Sequence, residues 1–440
     1  MSLYGAMMTG VAGLSANSTA LSVASSNIAN VNTVGYKAAT TDFSTLLAAA
    51  AGTSDSSSAG VTATAGQNVT QQGLLTTTSS STDLAVSGNG FFVVSASPTN
   101  TSAQEYTRAG SFTTDSSGNL KNSSGLYLLG WQLDTSGNAP TNPADLSLIN
   151  VSNLSGKAVA STTIGLQANL QASATTVSGY NVSTNNMSSG AVTPDFQRTI
   201  NIDDSQGGTQ PLELSFVKTA ANTWAYEVSY SGDSSNITGS NPIASGTMTF
   251  NSDGSLANVV PTGGSASPAS GTISISVPWS TASGLTAQPL SVNMGTVGST
   301  DGVTEYDTTS TLTSANVDGA VYGSVSGISI AGDGTVSANF SNGLTQAVFK
   351  IPLATFANPD GLAEVSGNAY ATTPDSGTAV VNVANTGGSG TINSKELEGS
   401  TVDLATEFTN LITTQRAYSA CSRIVTTASQ MLDELLQMSH

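Results

Sequence analysis

The tightest constraint on this chain is a heptad pattern at each end and nothing of the kind between. Near the N-terminus Met7, Leu14, Leu21 and Ile28 stand one heptad apart, with Leu3 four residues ahead of Met7. The intervening seam positions Gly10, Asn17 and Ala24 are small or polar, so a partner helix could approach closely at some loss of packing energy. Helix propensity falls at Asn30-Val31-Asn32-Thr33, and Gly35 offers a C-terminal stop. At the other end Leu404, Phe408, Leu411, Tyr418, Val425, Leu432 and Leu436 share one seam, interrupted by Gln415, Ser422 and Ser429. A flanking stripe of Ala405, Ile412, Ile424, Ala428, Met431 and Leu435 makes this face broader than a two-stranded coiled coil needs. Such a helix is expected to bury more than one side, against the N-terminal helix and against something else.

Between the ends, short alternating runs are separated by turn dipeptides. Asp83 to Val94, Gly110 to Leu129 and Ile328 to Phe349 pair β-favouring residues with Gly-Asn, Asp-Gly or Asn-Gly corners. Further strands are predicted in Thr199 to Tyr230, Gly246 to Leu256 and Gly271 to Pro278. Aperiodic Ser/Thr/Ala/Gly stretches at 48–65, 173–194 and 297–313 read as linkers. The last two bracket a β block, which suggests one β-domain inserted into another and would bring the two helical ends together. The fold class expected is mostly β with paired terminal α-helices: nested discontinuous β-domains plus an N/C-terminal helical coiled-coil domain. Its parts are a helical domain from 1–35 and 398–440, a connecting segment at 36–72, an inner β-domain from 73–175 and 321–397, and an outer β-domain at 176–320.

Composition narrows the function classes. With 10 Lys+Arg against 28 Asp+Glu the formal net charge is -18, which repels phosphate backbones and anionic lipid, so nucleic acid and membrane insertion are not expected. Charged residues are 9% of the chain, against roughly 25% in ordinary soluble domains. Ser, Thr, Asn and Gly keep the surface wet instead. A single cysteine, Cys421, excludes an intrachain disulfide and reads as a small packing residue. No basic residue precedes Lys37, so the chain lacks the basic region of a cleaved signal peptide.

Catalytic chemistry has little to work with. The lone histidine is His440, and neither a nucleophile elbow, a phosphate-binding glycine loop nor a zinc ligand set is present. No carboxylate pair of glycosidase type stands out. Asp203-Asp204, Asn251-Ser252-Asp253-Gly254 and Gly332-Asp333-Gly334 read as β-turns rather than calcium loops. The expectation is a protein that is not an enzyme and has no cofactor or metal.

The segment Ser26 to Lys37, SNIANVNTVGYK, resembles the signature of the bacterial flagellar rod and hook axial proteins. In that family a helix ends in an Asn-rich turn followed by Thr-x-Gly-aromatic-Lys, matched here by Asn27, Asn30, Asn32, Thr33, Gly35, Tyr36 and Lys37. Asp83 to Phe92, Tyr106 to Leu120 and Phe356 to Leu362 are similar to further blocks in the same order. Leu397 to Leu436 resembles the family's C-terminal helix, with Gln415-Arg416-Ala417-Tyr418 in its middle. The length and the inserted stretch Asp204 to Trp224 resemble hook proteins more than the shorter rod proteins; a distal rod subunit or a secreted adhesin or surface-layer protein is the alternative. The resemblance implies a subunit exported unfolded by the type III apparatus without a cleaved signal, polymerising outside the cell into the flexible hook tube. Rod, hook-cap and hook–filament junction proteins would be its partners. Both heptad seams are expected to serve polymerisation.

Overall fold

A computed structural model describes residues 3–48, 57–134, 137–140, 142, 145–152, 154–262 and 271–438. It contains two compact units, one formed by 1–154, 327–339 and 345–440 and the other by 155–326 with 340–344.

The first unit holds both helices, α1 (Leu3–Ala29) and α2 (Leu404–Met438). They pack antiparallel: Gly10 faces Val425, while Asn27 reaches Glu407 at the other end. Small side chains form the interface. A methyl group added at Gly13 would lie 2.8 Å from Cys421 Sγ, and one at Gly10 would lie 2.9 Å from Val425 Cγ2. Ala16, Ala20 and Ala24 are buried along the same stripe. The N-terminal seam is therefore displaced from the larger residues. Met7, Leu14, Leu21 and Ile28 are only half-buried and flank the glycine–alanine stripe, because two backbones this close leave no room for branched side chains between them. On α2, Leu411, Cys421, Val425, Ala428 and Leu432 turn at least partly inward. The side chains of Leu3, Leu435 and Leu436 and the whole of His440 lie outside the described set.

A hairpin of β1 (Ala39–Ala48) and β2 (Ser57–Gln67) packs along α1, its Gly60 allowing contact with Ala12. The stretch 48–65 has the composition of a linker. Residues 57–67 are instead strand, with Val61, Ala63 and Ala65 paired to Thr45, Phe43 and Thr41; the Ala/Thr/Gly composition hid the pairing, because small residues carry little alternation in size.

The β part of this unit is built around β5 (Phe91–Ser95), reached through β3 (Leu75–Thr77) and β4 (Leu84–Ser87) and followed by β6 (Gln104–Thr107). The strand β5 pairs with β6, with 127–132 and with 352–355. Its period-2 alternation sends Phe92 and Val94 into one core with Phe112, Leu120 and Leu353, and Phe91 and Val93 into another with Tyr106, Trp131 and Tyr370.

The second unit is a β-sandwich. Strands 196–203, 209–220, 223–230, 244–250 and 256–261 form an antiparallel meander. A second sheet is centred on 163–171, which runs parallel to 288–293 and 303–306 and antiparallel to 311–317. Trp224, Tyr226, Phe216, Ile164 and Leu290 share the core between them. This explains why the inserted unit is larger than the 176–320 read from the sequence: its central strand begins at Thr163. Likewise 297–313 is no linker, since it contains strand 303–306 and the start of 311–317. The segment 173–194 has no strand but is no linker either, since its Met187 and Val192 are buried against Val217 and Ala225 of the same unit. An antiparallel clip, Lys157 opposite Gly323 and Val159 opposite Ala320, holds the two ends of the insertion side by side.

Candidate functional site

Among the described residues no group of three or more His, Cys, Asp or Glu is placed to hold a metal ion. The densest polar arrangement lies in the first unit, where both helices meet the β body. Here α1 ends at Ala29 as Asn30 Nδ2 donates to the Ser26 carbonyl at 2.9 Å and Thr33 Oγ1 donates to Asn30 Oδ1 at 3.1 Å. Gly35 then takes φ of +70°, and a Cβ there would sit 2.7 Å from the Ala109 nitrogen. Only glycine satisfies both conditions. Asn27, in the last turn of α1, is fully buried. Its Oδ1 accepts the Tyr36 hydroxyl at 3.1 Å and the Ala39 N–H at 2.9 Å. Its Nδ2 donates to the Ala39 carbonyl at 2.8 Å and to Glu407 Oε1 of α2 at 2.9 Å. One amide thus ties α1, the turn, β1 and α2 together.

Below it lies a buried charge cluster. Lys37 Nζ donates to Glu398 Oε1 at 2.6 Å and to the Gln71 carbonyl, and neither charged side chain is exposed. Glu398 also accepts the Gly73 N–H at 2.7 Å and, more distantly, Arg108 Nη1 at 3.4 Å. Burial pushes the Lys37 ammonium below its ordinary range, Glu398 pulls it back, and Arg108 lowers it again. Burial likewise lowers Arg108 against the opposing pull of Glu398. The chain entering and leaving the cluster is stitched by backbone bonds, Gly35 N–H to the Glu398 carbonyl at 2.7 Å and Thr401 N–H to the Tyr36 carbonyl at 3.1 Å. Two residues after Thr401, Asp403 caps α2, its Oδ1 accepting the Ala405 and Thr406 N–H groups at 2.8 and 3.1 Å.

The structure therefore gathers Asn27, Gly35, Tyr36 and Lys37, with Asn30 and Thr33 shaping the turn; Asn32 is exposed. Gln415 and Arg416 are exposed on α2, away from this cluster. Sequence reasoning passed over Arg108, Glu398 and Glu407. A lysine closing the turn implied a buried counter-charge, but nothing local pointed to a residue 361 positions away.

The second distinctive surface belongs to the helices. On α2 Leu404, Phe408, Ile412, Tyr418, Ile424 and Met431 are 40 to 52% exposed, and on α1 Tyr4, Met8 and Val11 are similarly open. Soluble monomers rarely leave apolar side chains in such a run. Among the described residues no helix is long and apolar enough to cross a membrane.

Known families match in the order the fold suggests. A flagella basal body rod protein model covers residues 7–37 and a flagellar hook protein FlgE/F/G D1 domain covers 85–206. A flagellar basal body protein FlaE D2 domain covers 187–320, and a flagellar basal body rod FlgEFG protein C-terminal model covers 393–438. Paired ends of rod type around nested β units define a flagellar axial protein. The flagellar hook protein FlgE of Caulobacter vibrioides is 33% identical over 592 aligned residues, covering 100% of both chains. That of Rhizobium meliloti is 35% identical over 453 residues, also covering 100% of both, and that of Salmonella typhimurium 32% over 434, covering 97% of this chain and 98% of the other. The chain belongs to the flagellar hook protein FlgE family; the motifs at 26–37 and 397–436 implied the rod and hook axial proteins, and the length and the stretch 204–224 the hook.

Proposed function

We propose that this chain is the structural subunit of the bacterial flagellar hook, outside the cell, and that it self-assembles into a curved tube passing torque from rod to filament. The observation that carries this reading is the apolar stripe left open on α2 when its contact with α1 is already complete. In the tube, neighbouring copies cover that stripe, so the helices line the inner wall and the β units lie outward. Polar Ser/Thr surfaces on the β units exchange contacts during bending, each worth on the order of a kilocalorie per mole. Leu404, Phe408 and Tyr418 belong to the polymerisation face, with Leu411, Val425 and Leu432 divided between it and α1. Export through the type III apparatus, and contacts with rod, hook-cap and hook–filament junction proteins, follow from the same reading.

Deletion of 404–436 tests it. The truncated protein is expected to keep its β units folded and to remain monomeric by sedimentation and electron microscopy. Phe408→Ser with Ile412→Ser, both half-exposed on α2, is expected to abolish tubes as well. Tubes formed by either variant would overturn the mechanism.

A further inference from the structure

The buried charge cluster is out of balance. Lys37 and Arg108 share one carboxylate, Glu398, which sits 2.6 Å from the ammonium but 3.4 Å from the guanidinium. The cluster thus carries a formal charge of +1 inside a chain whose net charge is -18. Leaving a buried charge under-compensated is costly. Arg108 is only 2% exposed. Its Nη2 donates to the Gly88 carbonyl at 2.9 Å and its Nη1 lies 3.4 Å from the Val86 carbonyl, while its Nε has no partner.

Arg108 also lines an open cavity of about 410 Å³, together with Asn89, Phe91, Phe356, Gly387 and Gly388. Its guanidinium lies 5.1 Å from the centre of the Phe91 ring, and Phe91 meets Phe356 edge to face at 5.7 Å. At the rim, Gly388 has open space around its α-carbon. Asp360, next to Pro359 of the cavity wall, is committed elsewhere, accepting the Val69 N–H at 2.9 Å, and Glu364 accepts Gln67 Nε2 at 2.6 Å. A cavity with aromatic walls and one under-paired cation is suited to a carboxylate.

We infer that this cavity receives an Asp or Glu side chain from a second copy of the chain during assembly, Arg108 being the recognition residue. The inference rests on the homopolymer reading. With 28 acidic residues against 10 basic ones, identical copies repel each other in solution, and a buried guanidinium offers their carboxylates a defined attractive seat.

Two measurements test it. In the unassembled protein, sodium acetate is expected to raise the melting temperature more than sodium chloride at equal ionic strength. Arg108→Gln should remove that difference. In assembly, Asn89→Asp places a carboxylate of nearly unchanged shape at the cavity wall. It is expected to raise the monomer's melting temperature and increase the critical concentration for tubes by about tenfold, with Asn89→Gln unchanged. Equal effects of acetate and chloride, with Asn89→Asp assembling normally, would overturn the inference. An acetate effect with unchanged assembly of Asn89→Asp would show a seat for free anions and overturn the second-copy assignment. If wild-type protein forms no tubes at all, the hook reading itself fails, while the acetate comparison still reports on the cavity.

Discussion

Removing the shared counter-charge is the sharpest perturbation the structure offers. Glu398→Gln keeps the shape of the side chain but leaves Lys37 and Arg108 facing each other in a site where Lys37 and Glu398 are fully buried. It also weakens the acceptor for the Gly73 N–H. Stripping one partner from a buried pair costs about 3–5 kcal/mol, a third or more of the total for many domains. Lys37→Met removes one cation and leaves Arg108 with Glu398 in a one-to-one pair, so its cost should be smaller, about 1–3 kcal/mol. In the double variant the two losses should fall short of additivity, because the second change removes a charge the first had orphaned. Urea unfolding of the unassembled protein, followed by tryptophan fluorescence, separates the units. Trp131 reports the first unit and Trp224 and Trp279 the second. The Trp131 transition in Glu398→Gln should move down by about 1–2 M urea, with the other transition unchanged. A shift below about 0.3 M, or a larger cost for Lys37→Met than for Glu398→Gln, would refute the reasoning.

Other outcomes can be stated more briefly. A methyl group at Gly110 would lie 1.7 Å from the Leu84 carbonyl oxygen, so Gly110→Ala should abolish the near-ultraviolet signal of the first unit. Gly13→Leu should pry the helices apart and speed alkylation of Cys421 by about tenfold, the scale of overpacking by 1–3 kcal/mol; an unchanged rate would mean the pair tolerates the bulk. At Asp318, burial pushes the carboxyl up, but hydrogen bonds from Thr162 and Thr163 outweigh it and hold the group down at about 2 against an ordinary 3.8. A depressed carboxyl gives stability that is full above 3.8 and lost as pH falls towards 2. Asp318→Asn should therefore flatten the acid limb of unfolding of the second unit in that window.

The helical ends were legible because their periodicity is local, and the residues 26–37 carried the family because a helix stop, a glycine turn and a lysine follow in fixed order. What the heptads misplaced was the buried edge. Periodicity weighs side chains by size, so it selected Met7, Leu14, Leu21 and Ile28; the close approach read from Gly10 holds, but Gly13 beside it was passed over. Strands rich in Val, Phe and Leu, such as 91–95, declared themselves; the Ala/Thr/Gly strand 57–67 did not. The cluster of Lys37, Arg108 and Glu398 was beyond reach for a different reason. Its members lie on three segments brought together only by the closing of the β body, and each looks like an ordinary surface charge in isolation.

That cluster also fixes what may vary. The chain departs from the helices at Lys37 and is fastened back to the same point at Glu398. The insertion leaves at Lys157 and returns beside it at Gly323. Each fastening closes a loop, so residues added beyond it lengthen the loop without altering its base. Exchanging the residues between 157 and 323 should thus leave the fold of the first unit, and the pairing of α1 with α2 within it, as they are. The same two strands offer a ready splice for displaying a foreign domain whose own ends lie side by side.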